Sequence, residues 1–181
     1  MEESITATDH ISVHTVPTTK IHKNAIKAWM LSASLYGLVW LIPSFFYAAL
    51  AVGEGLEGSL AWYEAIDWTL FATLTFLELV IYLLGIFLIP KLRWKRWKYE
   101  VSDKEIDMLR GIVIHKRTLI PINRVQHVDT RQGPIYRGFG LSSVTISTAA
   151  TTHEIPALDD ATADELRNII STLVRKVKDD V

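Results

Sequence analysis

The stretch RVQHVDTRQGPIYRGFG, Arg124–Gly140, decides the fold of this chain. Its first half places valines among polar residues, which is typical of a strand with one buried face. Its second half carries Gly133, Pro134, Gly138 and Gly140, residue types that tight turns use. Arginines and a histidine in the same stretch raise a second interpretation, a phosphate-binding loop or a catalytic strand. The surrounding sequence decides between them.

A phosphate-binding loop needs backbone N–H groups that converge at the N-terminus of a helix. Here the glycines lie between two predicted strands, no helix is predicted to follow them, and Pro134 removes one donor. We therefore interpret the glycines as turn residues around Phe139, which we expect to fill the core. Whether Arg124, Arg131 and Arg137 face lipid phosphate, a partner protein or only water stays open at this point.

Other short strand patterns surround this stretch. WKYEV and EIDMLRG are typical of two strands around a turn at Ser102–Asp103. IVIHKRTLIPI, residues 112–122, predicts a longer strand after a turn at Gly111. With GLSSVTISTAA and HEIPAL the series reaches about six strands, and this short spacing favours an antiparallel sandwich or partly closed barrel over βαβ units.

The chain ends in a predicted amphipathic helix. Thr162 and Glu165 have the spacing of a capping box, with Asp159 and Asp160 as rival caps. The apolar residues that follow form one stripe at helical spacing: Leu166, Ile169, Ile170, Leu173, Val174 and Val177. We expect this stripe to cover the open face or end of the sheet.

Two long apolar segments precede the strands. The first, Ala28–Val52, has 25 residues without a charge, and as a helix it would reach roughly 37 Å, beyond a hydrocarbon core of about 30 Å. It is too long and too aromatic for a signal peptide. The second, Trp68–Pro90, is interrupted only by Glu78. The sequence therefore predicts a two-helix transmembrane hairpin with spans at about 28–52 and 68–90.

Charge around the two segments predicts their orientation. The outer flanks are basic, with Lys20, Lys23 and Lys27 before the first segment and the run KLRWKRWK after the second. The loop between them holds acidic residues and no Lys or Arg. The positive-inside rule then places both termini in the cytoplasm of a multi-pass protein in the cytoplasmic membrane. Residues 1–20 are predicted to form a mobile tail, 21–98 the hairpin with its juxtamembrane segment, and 99–181 a cytoplasmic domain.

The juxtamembrane segment is predicted to anchor the protein to membrane lipids. Cations attract anionic headgroups and tryptophans favour the interface. The anchoring residues in this interpretation are Lys91, Arg93, Trp94, Lys95, Arg96, Trp97 and Lys98. Stacking on nucleic acid is the alternative. The adjoining span and the net charge of −1 argue for lipid and against a nucleic-acid partner.

Glu78 is the one charged residue within the second span. A carboxylate near mid-bilayer costs about 2.5–3.5 kcal/mol on insertion scales. We expect it to contact another helix, either in this chain, with hydroxyl groups of Ser32, Ser34 or Tyr36 as candidate donors, or in a partner subunit. The alternatives are a gating or transport role and a position near the interface.

Catalytic and metal chemistry find little support. The chain has no cysteine, which excludes thiolate zinc sites, iron–sulfur clusters and thiol nucleophiles. His127 and Asp129 would share one face of a strand, but a metal site needs three or four ligands. His115 and His153 contribute only if the fold brings them close. We expect no enzyme activity, no metal and no cofactor.

A series of short motifs, taken in order, supports a family resemblance. They are Ile120–Pro121, Arg124-x-Gln126-x-Val128, Gln132–Gly133–Pro134, Arg137-x-Phe139–Gly140–Leu141 and Thr148–Ala149. Placed behind two spans and a basic segment, they resemble the bacterial pleckstrin-homology-like (PH-like) family of membrane-flanked domains, of the YdbS-like type. The resemblance covers roughly residues 20–178.

The resemblance implies an α+β architecture: a transmembrane hairpin, then a PH-like antiparallel β sandwich or barrel capped by one C-terminal helix. It implies no known catalysis. It implies a homo- or hetero-oligomer with a larger membrane protein that carries repeated copies of the same domain, in envelope maintenance or resistance to membrane-active agents. The alternative is a lipid-handling or transport component that uses the hairpin and Glu78.

Eukaryotic PH domains bind inositol phosphates through basic residues near their first hairpin. The matching turn in this chain carries Asp103 and Glu105 around Lys104. This departure from the pattern argues against phosphoinositide binding.

Overall fold

The computed structural model describes residues 16–55 and 68–179. The elements in chain order are β1 Thr19–Lys20, α1 Ala25–Gly55, α2 Trp68–Arg96, β2 Lys98–Val101, β3 Glu105–Arg110, β4 Lys116–Pro121, a 3₁₀ turn Ile122–Arg124, β5 Val125–Arg131, α3 Pro134–Gly138, β6 Leu141–Thr148, β7 Thr152–Asp159 and α4 Asp160–Asp179. The predicted strands at β2, β3, β5, β6 and β7 are confirmed, as is a C-terminal helix.

Two antiparallel sheets form the β domain, which we define as the strands together with α3 and α4. The first sheet has the order β1-β2-β3-β4 and the second the order β5-β6-β7. Fully buried side chains from both sheets and from α4, among them Met108, Ile146 and Ile170, share one core. The expected α+β class with antiparallel sheets and a C-terminal helix is thereby confirmed.

The motif around Gln132 joins three elements. The Gln132 side-chain amide donates to the Leu141 carbonyl at 3.2 Å and to Asp160 Oδ1 at 2.9 Å. Ser142 Oγ donates to the same carboxylate oxygen at 2.6 Å. The end of β5, the start of β6 and the first residue of α4 are therefore held at one point.

The connector after Gln132 differs from the prediction in one respect. A short helix, α3, follows Gly133, where no helix was expected. Pro134 occupies its first turn, where a fixed φ and a missing N–H are tolerated. Phe139 packs against the core, half-buried, and Gly140 takes a positive φ of 62°, as a turn glycine does.

The C-terminal helix begins earlier than the capping box indicates. It starts at Asp160, so Thr162 lies inside the first turn and the capping-box prediction is wrong. Ser142 and Gln132 hold the Asp160 carboxylate at this end. Within the apolar stripe, Leu166 and Ile170 are buried, whereas Ile169 keeps 44% of its surface exposed.

The strand predicted from residue 112 is wrong over residues 112–115. Arg110 pairs with Lys116 across the sheet, so the intervening residues form a hairpin turn. Gly111 makes the reversal possible with a φ of 112°, and a Cβ there would overlap the Ile114 carbonyl. The turn exposes two large apolar side chains, Val113 at 90% and Ile114 at 82%.

The end of the expected tail is ordered. Residues 1–15 lie outside the described residues, but Thr19 pairs with Tyr99 and Lys20 with Lys98 as strand β1 against β2. Pro17 is fully buried. A further backbone bond runs from His22 N–H to the Ala157 carbonyl at 3.0 Å. Strand pairing and burial therefore fix the last residues of the predicted tail, at the end nearest α1.

The two long helices pack in opposite directions. Tyr82 Oη donates to the Ser34 carbonyl at 3.3 Å, and farther along α1 Ser44 contacts Glu78, which lies earlier in α2. Gly37 faces the Tyr82 ring so closely that a Cβ there would overlap it. The glycine therefore leaves the space that the Tyr82 ring occupies between the two helices.

One helical segment in the described part of the chain, Ala72–Arg96, is long and apolar enough to cross a membrane, with a mean hydropathy of 2.3 over an 18-residue stretch within it. Ala25–Val39 is a shorter apolar segment of α1. The predicted span ends at Pro90. The helix α2 itself continues beyond that residue to Arg96. Of the predicted acidic loop, residues 53–67, the first three belong to α1, and residues 56–67 lie outside the described residues.

We expect Gly111→Ala to destabilise the β domain. Alanine at this positive φ should cost about 1–3 kcal/mol of the free energy of unfolding, which corresponds to a lower midpoint by about 4 °C or more. Thermal unfolding of the detergent-solubilised protein, followed by near-ultraviolet circular dichroism, measures the difference.

Gly133→Ala is the matched control, since Gly133 has a φ of −80° and open space where the Cβ would lie. We expect its midpoint to change little, within about 0.5 kcal/mol. Equal midpoints for both variants would show that the hairpin does not depend on the conformation of Gly111.

Candidate functional site

Trp29, in the first turns of α1, connects both helices to the β domain. Its indole N–H donates to the Tyr136 hydroxyl of α3 at 2.9 Å. The Arg93 guanidinium of α2 lies 4.3 Å from the centroid of its ring, within the range of a cation–π contact. Trp29 is 8% exposed. Burial raises the pKa of the Tyr136 phenol, and the hydrogen bond from Trp29 acts in the opposite sense.

A cleft of about 660 Å³ opens beside this contact, between the helices and the β domain. Its lining residues are Trp29, Ser32, Arg93, Trp97, Arg110, Gly111, Ile112, Lys116, Tyr136, Glu154 and Pro156. Three cations in this set face a single carboxylate, that of Glu154. The cleft therefore combines aromatic walls with an excess of positive charge.

Two of these cations face each other directly. Arg110 and Lys116 are cross-strand partners next to the turn of the β3–β4 hairpin, so their side chains leave the sheet on the same face. Like charges in this arrangement repel. Among residues 16–55 and 68–179, no ion pair or side-chain hydrogen bond involves Arg110 or Lys116.

The nearby acid Asp107 does not compensate them. Its carboxylate is engaged by Arg117, with Nη2 at 2.6 Å and Nε at 2.9 Å from Oδ2. This two-point contact holds a largely buried carboxylate on β3. Asp107 therefore does not neutralise Arg110 and Lys116, and their charges contribute to the positive potential of the cleft.

His153 on β7 reports the same positive potential. Its pKa is lowered, first by burial and then by the charges of Arg110 and Lys116. A cation near an imidazole disfavours its protonated form. The two basic residues therefore act on a group outside the cleft as well.

The juxtamembrane segment divides into exposed cations and packed tryptophans. Its exposed cations on the last turns of α2 are Lys91, Arg93, Lys95 and Arg96, while Lys98 opens β2 half-buried. Trp97 is 3% exposed and belongs to the core. Trp97 is therefore not an exposed anchor, because α2 runs into β2 without a linker and carries its ring into the domain, beside the cleft.

Trp94 is half-buried and also fastens the domain. Its indole N–H donates to the Ile21 carbonyl at 3.0 Å, and Lys20 Nζ lies 5.3 Å from its ring centroid. The ring therefore holds the segment between β1 and α1 against the end of α2.

Glu78 contacts the other long helix through a residue that the sequence did not indicate. Its Oε2 accepts a hydrogen bond from Ser44 Oγ at 2.7 Å. The expected donors Ser32 and Ser34 instead donate to carbonyls of their own helix, at Ala28 and Met30, and Tyr36 is exposed. Ser44 was missed because the register of two packed helices is not readable from either one alone.

Arg124, Arg131 and Arg137 are exposed in three different elements, the 3₁₀ turn, the end of β5 and α3. Arg124 and Arg131 lie at opposite ends of β5. In the described part of the chain none of the three makes an ion pair or a side-chain hydrogen bond.

The described residues contain no group of three His, Asp or Glu side chains that could hold a metal ion. His127 and Asp129 are both exposed on β5. His127 Nδ1 lies 3.1 Å from the Gln126 carbonyl.

Of the charged and aromatic residues that line the cleft, only Arg93 and Trp97 were singled out in the sequence, as lipid anchors. Trp29 was included in the first apolar segment, and Arg110 and Lys116 were assigned to strands. One local signal could have found the last two: a glycine and three apolar residues bracketed by cations, in RGIVIHK. Trp29, Arg93 and Tyr136 lie far apart along the chain, so the sequence does not indicate that they contact one another.

Comparison with known proteins supports the same domain. The model of the bacterial PH domain family matches residues 30–174. The chain is 39% identical over 165 residues to the UPF0699 transmembrane protein YdbS of Bacillus subtilis strain 168, which is 91% of this chain and 98% of that protein. It is 30% identical over 87 residues to the UPF0699 transmembrane protein YdbT of the same strain, 48% of this chain and 18% of that protein.

No solved structure matches the chain. The family model covers most of the chain, and the YdbS similarity extends over nearly the whole length of both proteins. This protein therefore belongs to the bacterial PH domain family, among relatives of the YdbS-like transmembrane proteins.

Proposed function

We propose that this chain is a non-enzymatic, multi-pass protein of the cytoplasmic membrane. Its PH-like domain lies on the cytoplasmic side and mediates assembly with a larger membrane protein that carries repeated copies of the same domain. The assembly serves envelope maintenance or resistance to membrane-active agents.

One observation carries the membrane topology: the pairing of β1 with β2. The strand β1 precedes α1, and β2 follows α2, so the two ends of the helix pair meet in one sheet. If α2 crosses the bilayer once, α1 must cross it as well, because both ends of the helix pair then lie on the same side. This argument supports two spans, and the uncharged stretch Ala28–Val52 is long enough for the first of them.

The charges support a cytoplasmic position for the β domain. Basic residues at Lys20, Lys23 and Lys27 lie at the same end of the helix pair as the exposed cations of α2. Positive charge is retained on the cytoplasmic side of membrane proteins. The direct passage from Arg96 into β2 then holds the domain at the membrane surface.

The proposed assembly is supported by the second relative. YdbT is a transmembrane protein in which the matched 87 residues make up 18% of the length, so it is much longer than this chain. A longer protein with a related segment is the kind of partner that the proposal requires. Homologous domains also offer similar surfaces to each other, as in symmetric oligomers.

A transport or lipid-handling function that uses Glu78 is the alternative. The hydrogen bond from Ser44 engages this carboxylate between two helices of the same chain. Intramembrane acids are commonly paired in this way where helices pack. The contact supports a role for Glu78 in helix association over a role in a transport path.

Cysteine labelling tests the topology, because the chain has no cysteine of its own. We expect a membrane-impermeant maleimide to label a Ser59→Cys variant in intact cells. Lys23→Cys and Ser102→Cys variants should react only after permeabilisation. The unmodified protein is the blank.

Each half of the topology has its own contradicting outcome. Labels at both residues 23 and 59 in intact cells would show that α1 does not cross. Labelling at residue 102 in intact cells would place the β domain outside.

The assembly is tested by co-purification in mild detergent with a YdbT-like protein expressed in the same cell. We expect Glu78→Leu to reduce recovery of the partner about tenfold, which corresponds to about 1.4 kcal/mol. Recovery is measured by quantitative immunoblotting against the amount of tagged protein.

Ser44→Ala is the matched control, since it removes the hydrogen bond within the chain and keeps the carboxylate. We expect recovery within about twofold of the unmodified protein, as exposed or single neutral contacts are worth little. Equal losses in the two variants would mean that Glu78 acts only between its own helices. Unchanged recovery with Glu78→Leu would also contradict its role in assembly.

A further inference from the structure

The tip of the β3–β4 hairpin is apolar and exposed, which is unusual for a turn. Ile112, Val113 and Ile114 occupy it, and the last two are almost fully accessible. Turns normally carry polar residues, and an apolar tip rimmed by polar groups marks a surface that contacts a membrane or a protein. The turn at Gly111 carries the side chains of Val113 and Ile114 away from the core of the β domain.

Cations surround the base of this tip. Arg110 and Lys116 face each other across the two strands, next to the turn. Neither makes an ion pair or a side-chain hydrogen bond among the described residues. His115 lies between them and the tip. An apolar tip with a basic collar matches the polarity of a bilayer surface, where acyl chains lie below phosphates.

The register of the first sheet places this tip at the membrane end of the domain. Lys98, two residues beyond α2, pairs with Leu109, so the end of β3 lies beside the end of α2. The exposed apolar surface of α2 continues through Phe87 to Ile89, and Lys91 follows. The hairpin therefore leaves the sheet close to the level at which α2 changes from apolar to basic.

The cleft connects the hairpin to the helices at the same level. Gly111 and Ile112 line it from the hairpin, Trp29 from α1 and Arg93 from α2. Guanidinium groups bind phosphate oxygens through paired N–H donors, and an ammonium group binds them as a compact charge. Arg93 and Arg110 supply the first kind of group around the cleft, and Lys116 supplies the second. An aromatic wall at the interface completes a site suited to a lipid headgroup.

We propose that the membrane-facing end of the β domain docks on anionic phospholipid: the tip Ile112–Ile114 enters the acyl-chain boundary, and the headgroup phosphate lies in the cleft between Arg93, Arg110 and Lys116. The site is separate from the turn at Ser102–Asp103, where the first hairpin carries acidic residues. The inference rests on the proposed membrane placement of α2 and does not depend on assembly with a partner.

The depth of the tip is measured with a polarity-sensitive probe. A Val113→Cys variant carrying a nitrobenzoxadiazole label is reconstituted as the full chain in vesicles of phosphatidylcholine and phosphatidylglycerol. We expect blue-shifted emission and quenching by lipids with a doxyl group near the headgroup. An Asp103→Cys variant, labelled at the other end of β3, should show water-like emission and little quenching.

Water-like emission from position 113 would overturn the insertion of the tip. Equal quenching at positions 103 and 113 would overturn it as well, because the domain would then lie flat rather than dock through one end.

The headgroup site is tested by removing its two facing cations. In the labelled protein, quenching by doxyl-phosphatidylglycerol and by doxyl-phosphatidylcholine gives the preference for the anionic lipid. Each basic residue near the surface contributes about 1 kcal/mol, so Arg110→Gln with Lys116→Gln should reduce this preference about 30-fold. Arg124→Gln with Arg131→Gln removes the same charge from exposed positions elsewhere and should change it less than about threefold.

An equal loss in both double variants would overturn the site in favour of a diffuse charge effect. Binding of inorganic phosphate to the detergent-solubilised protein that Arg110→Gln with Lys116→Gln abolishes, together with no preference for doxyl-phosphatidylglycerol in vesicles, would assign the cleft to free phosphate and overturn a lipid ligand. The labelling pattern at residues 23, 59 and 102 is repeated in the same variant. An unchanged pattern separates failure of this inference from failure of the membrane topology.

Discussion

The contact of Trp29 with Tyr136 and Arg93 is the constraint on which the arrangement of the molecule depends. The indole hydrogen bond joins α1 to α3, and the stacked guanidinium joins α1 to α2. A buried aromatic ring contributes both apolar area and a directed polar contact. Because one side chain touches both helices and the β domain, the cleft between them has fixed walls, and the charges of Arg93, Arg110 and Lys116 are held around one space.

The parts that could be predicted from the sequence are those determined by local periodicity and turn chemistry. The strand β5 and the turn at Gly133–Pro134 follow from Arg124–Gly140, and the amphipathic C-terminal helix follows from its apolar spacing. The role of Gln132 could not be predicted from the sequence, because its hydrogen-bond partner Asp160 lies at the start of α4. A motif can thus identify a fold even though the hydrogen bonds that its residues make reach a segment distant in the chain.

The parts that could not be predicted depend on register and on tertiary packing. The residues IVIH have strand propensity, yet one glycine with a positive φ turns them into a hairpin. Trp97 lies in a basic run that resembles an interface anchor, but the direct passage from helix to strand buries it. The cleft itself draws on Trp29, Arg93 and Tyr136, and only the folded chain brings such distant residues together.

The strand β1 has a consequence for the order in which the protein forms. Its two residues are separated from β2 by both long helices, so the first sheet cannot be completed until α2 has been synthesised. Until the two helices have paired, β2 would present an uncovered edge, which favours pairing with other chains. Ile21 and Trp97, which share the core, are likewise brought together only when the helices have paired. Completion of the sheet is therefore coupled to the correct placement of the helices, and a chain whose helices fail to pair is left with an open edge that distinguishes it from the finished protein.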